Sequence, residues 1–381
     1  MPLEDLFEKE AQAPESDSDQ KRLCERFGVL ANPFPSAAQT SGHPHLSTDA
    51  DGLVDREVKA FIGEPRSHAL AITASQGIGK TNLLNAYQEA LHEKLKGRGF
   101  FVIRYLADPE PSFEPLVRSI FEHLGEEHLK RVLATASRDD KQPKVDVLLD
   151  HVRAPDIKNM LKALIKTSSE GNLSNFDQAI HLAHQWLLGL PVRKAHREQL
   201  DINFRLDTVE SKTRALREIV FFSAELGELR GIFLLLDELE KQDFSLSKTI
   251  VLRYLSALRA LIDALPKYLF LMVALTTDAL QRYREMLPAL KGRLANEVQL
   301  SPIRDEEEAL KYWRFYNDEA RKAAKDEAEA QGWRCGEEHI VAETEVREVF
   351  AKQRKLSSIE GVRQRDFLNE LNRLASLASA S

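Results

Sequence analysis

The chain has 381 residues, 43% of them hydrophobic and 30% charged, and a formal net charge of −7. That length can bury a large core and has room for two domains, and the composition excludes a disordered or fibrous chain. The acidic balance excludes a surface that is basic throughout, so any nucleic-acid contact has to come from a local patch or from assembly.

In chain order, residues 1–20 are rich in Glu, Asp, Ser and Pro and lack a core-forming pattern, which predicts a flexible acidic tail. Phe27-Gly-Val-Leu-Ala-Asn-Pro-Phe-Pro is an irregular segment whose aromatics can pack beside an adenine base or strap a core edge. Leu53-Val-Asp-Arg-Glu precedes a short helix expected over about Glu57 to Phe61. The apolar run from Ala69 to Ile72 reads as a buried strand, followed by Thr-Ala-Ser-Gln-Gly-Ile-Gly-Lys-Thr at 73–81.

A strand, a glycine loop, Lys-Thr and then a helix is the order of a phosphate-binding loop. Gly77 and Gly79 free the backbone to turn N–H groups toward an anion, and the following helix start adds a partial positive charge. The expected cradle is Ser75, Gln76, Gly77, Ile78, Gly79, Lys80, Thr81 and Asn82. In it Lys80 reaches the β- and γ-phosphates, and the Thr81 hydroxyl takes Mg²⁺. Where the pattern has its first glycine this chain has Ala74, which would be strained if that position needed positive φ.

A helix from Asn82 to Lys96 ends at Gly97 and Gly99, and Phe100–Leu106 reads as a second buried strand. Ser112 caps a helix to about Leu124. The pattern from about 126 to 227 is helical, with polar breaks at 137–144 and 168–175. It is longer than a plain crossover needs, so it is read as a helical insertion. Within it, Trp186-Leu-Leu-Gly-Leu-Pro has the form of a helix end followed by a docking turn.

Gly231-Ile-Phe-Leu-Leu-Leu-Asp-Glu-Leu-Glu is the second strong signal. Its apolar run makes a strand buried on both faces, with Asp237 and Glu238 emerging where open α/β sheets bind ligands. Asp237 would orient Mg²⁺, and Glu238 would polarise an attacking water. Thr249–Leu265 is a helix and Tyr268–Leu275 another buried strand. At its end Thr277 either offers a hydroxyl to the γ-phosphate or belongs to a helix cap. Asp305 to Glu329 reads as a long charge-laced helix, Gln331 to His339 as a loop, Glu345 to Gln353 as a shorter helix and Arg365 to about Leu377 as an amphipathic one. Cys24 and Cys335 lack the spacing of a zinc site and suggest no disulfide framework. No apolar run reaches membrane-spanning length and the N-terminus is not signal-like, so a cytoplasmic protein is expected.

With these residues in view, the chain resembles AAA+ ATPases of the origin-recognition, initiator-like branch. Within it the likeness runs to the ATP-binding proteins of BREX-type phage-defence loci (BrxD-like). It covers most of Phe27 to Leu371 and is carried by Gly77-x-Gly79-Lys-Thr, the Trp186-Leu-Leu-Gly element, Gly231 to Glu240, and more loosely Arg363-Gln-Arg365-Asp-Phe-Leu. It implies an α/β P-loop NTPase fold: a parallel sheet flanked by helices over 21–302 and a small helical lid over 303–381. It also implies Thr277 as first sensor, Arg293 as the arginine that reaches a neighbouring subunit's γ-phosphate, and Arg365 as the lid's sensor arginine, with Arg363 as fallback. Val54-Asp-Arg-Glu resembles the adenine-side box, giving base contacts from Leu53 or Val54. The short stretch after the lid leaves no room for a winged-helix DNA reader, so DNA contact is expected to be non-specific.

The function expected is an ATP-hydrolysing, Mg²⁺-dependent switch, oligomeric or joined to a partner protein, acting on DNA or on that partner in antiviral defence. A non-catalytic nucleotide-gated adapter and a DNA-loading or transposition-regulating ATPase are the alternatives.

Overall fold

The computed structural model describes residues 17–36, 39, 42–106, 114–170, 172–241, 247–357 and 360–380. The expected tail over residues 1–16 and the Ser112 cap lie outside them. The chain divides into two compact units. One comprises Asp49–Thr73 and Leu84–Gln299; the other comprises Met1–Thr48, Ala74–Leu83 and Leu300–Ser381.

In order, the described elements are helix α1 (Asp17–Phe27), α2 (Asp49–Gly63), strand β1 (His68–Thr73), α3 (Lys80–Leu95), β2 (Phe100–Leu106), α4 (Glu114–Ala136), α5 (Gln142–His151), α6 (Pro155–Ser169), α7 (Leu173–Leu187), α8 (Lys194–Gln199) and α9 (Val209–Glu225). Then come β3 (Gly231–Asp237), α10 (Lys248–Ala264), β4 (Leu269–Leu275), α11 (Thr277–Met286), α12 (Pro288–Lys291), β5 (Asn296–Gln299), α13 (Glu306–Gln331), α14 (Glu343–Leu356) and α15 (Gln364–Ala380).

The larger unit is built on a parallel five-stranded sheet in the order β2-β3-β4-β1-β5. Every residue of β3 and β4 is buried. Helices cover both faces of such a sheet, so its central strands carry unbroken apolar runs rather than alternation. Leu236, Val273 and Ala71 stand level across β3, β4 and β1, so these strands end together at one edge, with Asp237 the last residue of β3. That edge is where an open α/β sheet presents its ligand-binding loops.

Nearer the strand starts, Phe61 of α2 meets Phe233 edge-on at 5.1 Å, and Phe233 lies 5.3 Å from Phe270. Gly231 opens β3 because a Cβ there would come 2.8 Å from the Phe61 ring. Gly231→Val is therefore expected to cost about 1–3 kcal/mol through overpacking, measured by denaturant unfolding. A loss near zero would show that the ring moves aside freely.

Between β2 and β3 the expected insertion is helical as read, running from α4 to α9. Gly125, at φ 67 and ψ 174, breaks α4 in two where the first helix was expected to end. Trp186 is buried, and its indole N–H donates to the Phe204 carbonyl at 2.8 Å. Gly189 turns the chain at φ 78, and a Cβ there would press on Lys212, whose fully buried ammonium pairs with Glu114. The Trp-Leu-Leu-Gly element is thus a structural corner.

His128 is also buried in the insertion, with Nε2 3.1 Å from the Ser223 hydroxyl and the ring edge-on to Phe101 at 4.9 Å. Burial, with Arg131 adding to it, pushes its pKa down from 6.5 to about 4. Between those values the unfolded chain binds the proton and the folded chain does not. Stability is therefore expected to fall as pH drops from 6.5 to 4, by up to roughly 3 kcal/mol. His128→Phe should flatten that slope in unfolding curves taken across the range; an unchanged slope would remove His128 as its source.

Two expectations near the N-terminus are corrected. Asp17–Phe27 is a helix, so the last four residues assigned to a tail are helical. The short helix expected over Glu57–Phe61 is the end of a longer one, Asp49–Gly63. Asp49 and Asp51 favour its N-terminus, and Val54, Val58 and Phe61 bury one face of it at helical spacing.

The smaller unit has its own apolar core, contributed by α1, the Pro-punctuated segment, and α13 to α15. Phe27, Val29 and Phe34 are buried there. Asn32 donates to the Asn372 carbonyl at 2.8 Å, and Asn372 donates back to the Phe34 carbonyl at 2.6 Å. The segment straps this core, as one of its two readings expects; the other, packing beside a base, concerns a ligand. α13 starts on Asp305, whose carboxylate accepts from Glu308 N at 2.9 Å, and ends on Gly332 in the left-handed region.

Candidate functional site

The glycine loop belongs to the smaller unit. It starts directly after Thr73, the last residue of β1, and runs into α3 at Lys80. Gly77 and Gly79 take φ of 83° and 100°, the left-handed region that a side chain rarely enters. Ala74 is not among the described residues with positive φ, so the departure from the first-glycine pattern carries no backbone strain. It is 2% exposed and packs as a small apolar residue.

Ser75 and Gln76 are exposed, Ile78 is buried, and Gly77, Gly79, Lys80, Thr81 and Asn82 are half-buried. The Lys80 ammonium turns back on its own loop and donates to the Ala74 carbonyl at 2.9 Å and the Ser75 carbonyl at 3.4 Å. A cation held by two carbonyls in front of turned glycines is a pre-positioned counter-charge for an anion. Asn82 is tied to the Pro44 carbonyl at 3.3 Å.

The start of α15, with Arg363 just before it, lies on this loop within the same unit. Arg365 N donates to the Gly77 carbonyl at 3.0 Å, and a Cβ on Gly77 would meet Cβ of Arg365 at 3.4 Å and Cδ of Arg363 at 3.7 Å. A Cβ on Gly79 would collide with the Gln364 side-chain oxygen, and the Gln364 amide donates to the Tyr312 hydroxyl. The two lid arginines named from sequence therefore do adjoin the loop. Gln364 and Tyr312 were missed, because nothing local marks a glutamine and a helix tyrosine 52 residues apart as neighbours.

In the larger unit, Asp237 closes β3 with its side chain only 2% exposed. One oxygen accepts from Glu238 N at 3.0 Å and the other from Arg104 Nη2 at 2.7 Å. Arg104, on the neighbouring strand β2, is 12% exposed. Burial lowers its pKa, opposed by the charges of Asp237 and Glu238. Its Nη1 is buried with no hydrogen-bond partner among the described residues. Sequence reading passed over Arg104, although it is the single charge in Phe-Phe-Val-Ile-Arg-Tyr-Leu.

Glu238 stands at φ 57, the left-handed region, which costs a non-glycine residue of order 1–3 kcal/mol. Asp201 and Tyr268 stand in the same region of φ.

At the end of β4, Thr276 is the cap: its hydroxyl accepts from Ala279 N at 3.3 Å. Thr277 is the first residue of α11 and exposed, so its hydroxyl is not the one used for capping. Arg293 is paired with Asp263 at 2.8 Å, and both are partly exposed. Val54 is 0% exposed on the core face of α2, whereas Leu53 beside it is 45% exposed. Asp55 of the same stretch accepts from the Tyr87 hydroxyl at 2.8 Å. Of the two residues expected at a base, Leu53 is the one with surface to offer.

Taken unit by unit, the donor chemistry is of the kinds expected for a phosphate and for a hard cation. Turned glycines and a lysine suit phosphate, and a threonine hydroxyl and a carboxylate are the hard oxygens Mg²⁺ takes. Among the described residues no group of three or more His, Cys, Asp or Glu could hold a metal by itself, and no helix is long and apolar enough to cross a membrane.

No protein-family model matches the chain, and no curated protein matches it. Among solved structures, it is similar to the Aeropyrum pernix ORC2 protein, determined as ADPNP–ADP complexes. The identity is 13%, the match covers 89% of this chain and 72% of that one, and the TM-score is 0.40. The chain is an α/β protein with a parallel five-stranded sheet and a helical C-terminal region.

Proposed function

We propose that the chain binds ATP with Mg²⁺ and hydrolyses it as an AAA+ molecular switch. The observation that carries this reading is the glycine loop: Gly77 and Gly79 at positive φ, with Lys80 folded onto the loop's own carbonyls, directly after a buried strand. The loop residues 75–82 hold the phosphates, and Thr81 and Asp237 are the metal's oxygen donors. Glu238 polarises the attacking water. Arg365 or Arg363, at Gly77, senses the γ-phosphate, and Arg293 serves a neighbouring subunit once it leaves Asp263. Leu53 packs against the base. The resemblance adds DNA or a partner protein, in phage defence, as what the switch acts on.

ATP turnover by the purified chain tests the reading. Wild type should hydrolyse ATP and Glu238→Gln should lose about 100-fold or more, the scale of a general base. Equal, near-zero rates in both, with DNA and without, would overturn it.

One observation favours a second reading, a nucleotide-gated adapter that binds ATP without turnover. Arg104 already neutralises Asp237, the carboxylate a metal would use. Tight ATP binding with single-turnover hydrolysis no faster than in solution would select the adapter.

A further inference from the structure

The chain's two cysteines, 311 residues apart in sequence, come together in the smaller unit, with Sγ atoms 3.5 Å apart. Cys24 is buried on α1, and Cys335 is exposed in the loop after α13. The junction around them is built rather than incidental. Gly336 N donates to the Cys24 carbonyl at 2.9 Å. Arg26 pairs with Glu338 at 3.0 Å, and Arg321 donates to the carbonyls of Phe27, Glu337 and Glu338. Gly336 lies so close to α1 that a Cβ there would strike the Glu25 and Arg26 carbonyls. Backbone bonds on either side thus hold the two thiols in register, and their Sγ atoms have to close from 3.5 Å to about 2.05 Å to form an S–S bond.

We infer that Cys24 and Cys335 form a peroxide-responsive dithiol that closes to a disulfide and locks α1 to the loop after α13. The order of events follows from exposure. The Cys335 thiolate attacks a peroxide oxygen and the O–O bond breaks. Cys335 sulfur is oxidised to a sulfenic acid while hydroxide leaves and is protonated to water. Cys24 sulfur then attacks Cys335 Sγ: the S–S bond forms, the S–O bond breaks, and the departing hydroxide leaves as water with the Cys24 proton. Two thiols and one peroxide give one disulfide and two waters. Burial, reinforced by the hydrogen bond with Cys335, pushes the Cys24 thiol up to about 11, which keeps it protonated and leaves the first attack on peroxide to the exposed Cys335.

The test treats the full-length chain with hydrogen peroxide and analyses it without reductant by intact mass, thiol titration and peptide mapping. The expected product is a monomer lighter by two hydrogens, with no titratable thiol, a linked peptide pair containing Cys24 and Cys335, and full reversal by dithiothreitol. Under the same treatment Cys24→Ser should give a Cys335 carried on to sulfinic acid or joined between chains, and Cys335→Ser should keep an unreactive Cys24. Wild type would overturn the proposal by retaining both thiols, by oxidising Cys335 beyond sulfenic acid with Cys24 still reduced, or by linking only between chains. The readout needs no nucleotide, so it stands or falls apart from the ATPase reading.

Discussion

Lys80→Ala is expected to weaken ATP binding by about 100-fold, roughly 2.7 kcal/mol, with little change in unfolding. Lys80 is a half-buried residue whose ammonium is bonded to the Ala74 and Ser75 carbonyls, so removing it takes away the charge offered to the phosphates without opening a core cavity. Fluorescent-nucleotide titration measures the constant, and Glu238→Gln, expected to retain binding, is the control. Equal affinity in Lys80→Ala and wild type would mean that the glycine loop does not hold the triphosphate, and the functional reading would go with it.

The second large effect is expected at Arg104. Arg104→Met leaves the Asp237 carboxylate, 2% exposed, without its cation. Breaking a buried pair from one side costs about 3–5 kcal/mol, because an uncompensated charge stays behind. Arg104→Met with Asp237→Asn should recover most of that loss, since the neutral amide needs no counter-ion. Denaturant unfolding of the three variants and wild type completes the cycle. A single-variant loss below about 1 kcal/mol would show that solvent reaches Asp237 well enough to replace the arginine.

How far the sequence could be read differs from element to element, for physical reasons. β3 and β4 were legible almost to the residue, because a strand buried on both faces shows as an unbroken apolar run; only the burial of Asp237 at the end of β3, paired with Arg104, was not visible in it. The loop was legible because glycines at 77 and 79 are a local demand for positive φ. The strap was left open between two readings, because Asn32 and Asn372 recognise each other across 340 residues and no local pattern records that. The α2 boundary was misplaced because Leu53-Val-Asp-Arg-Glu looks polar in one dimension, although Val54, Val58 and Phe61 share one face.

The amino-acid order by itself determined which residue types follow one another: an anion cradle after a strand, two carboxylates after another, and two cysteines with no motif between them. Only the tertiary structure decided which charges meet. It set Arg104 against Asp237, laid Gln364 and Arg365 on the glycine loop, and brought Cys24 to Cys335. Backbone conformation answers to neighbours a few residues away, whereas pairing answers to strand order and packing, which the whole chain settles at once.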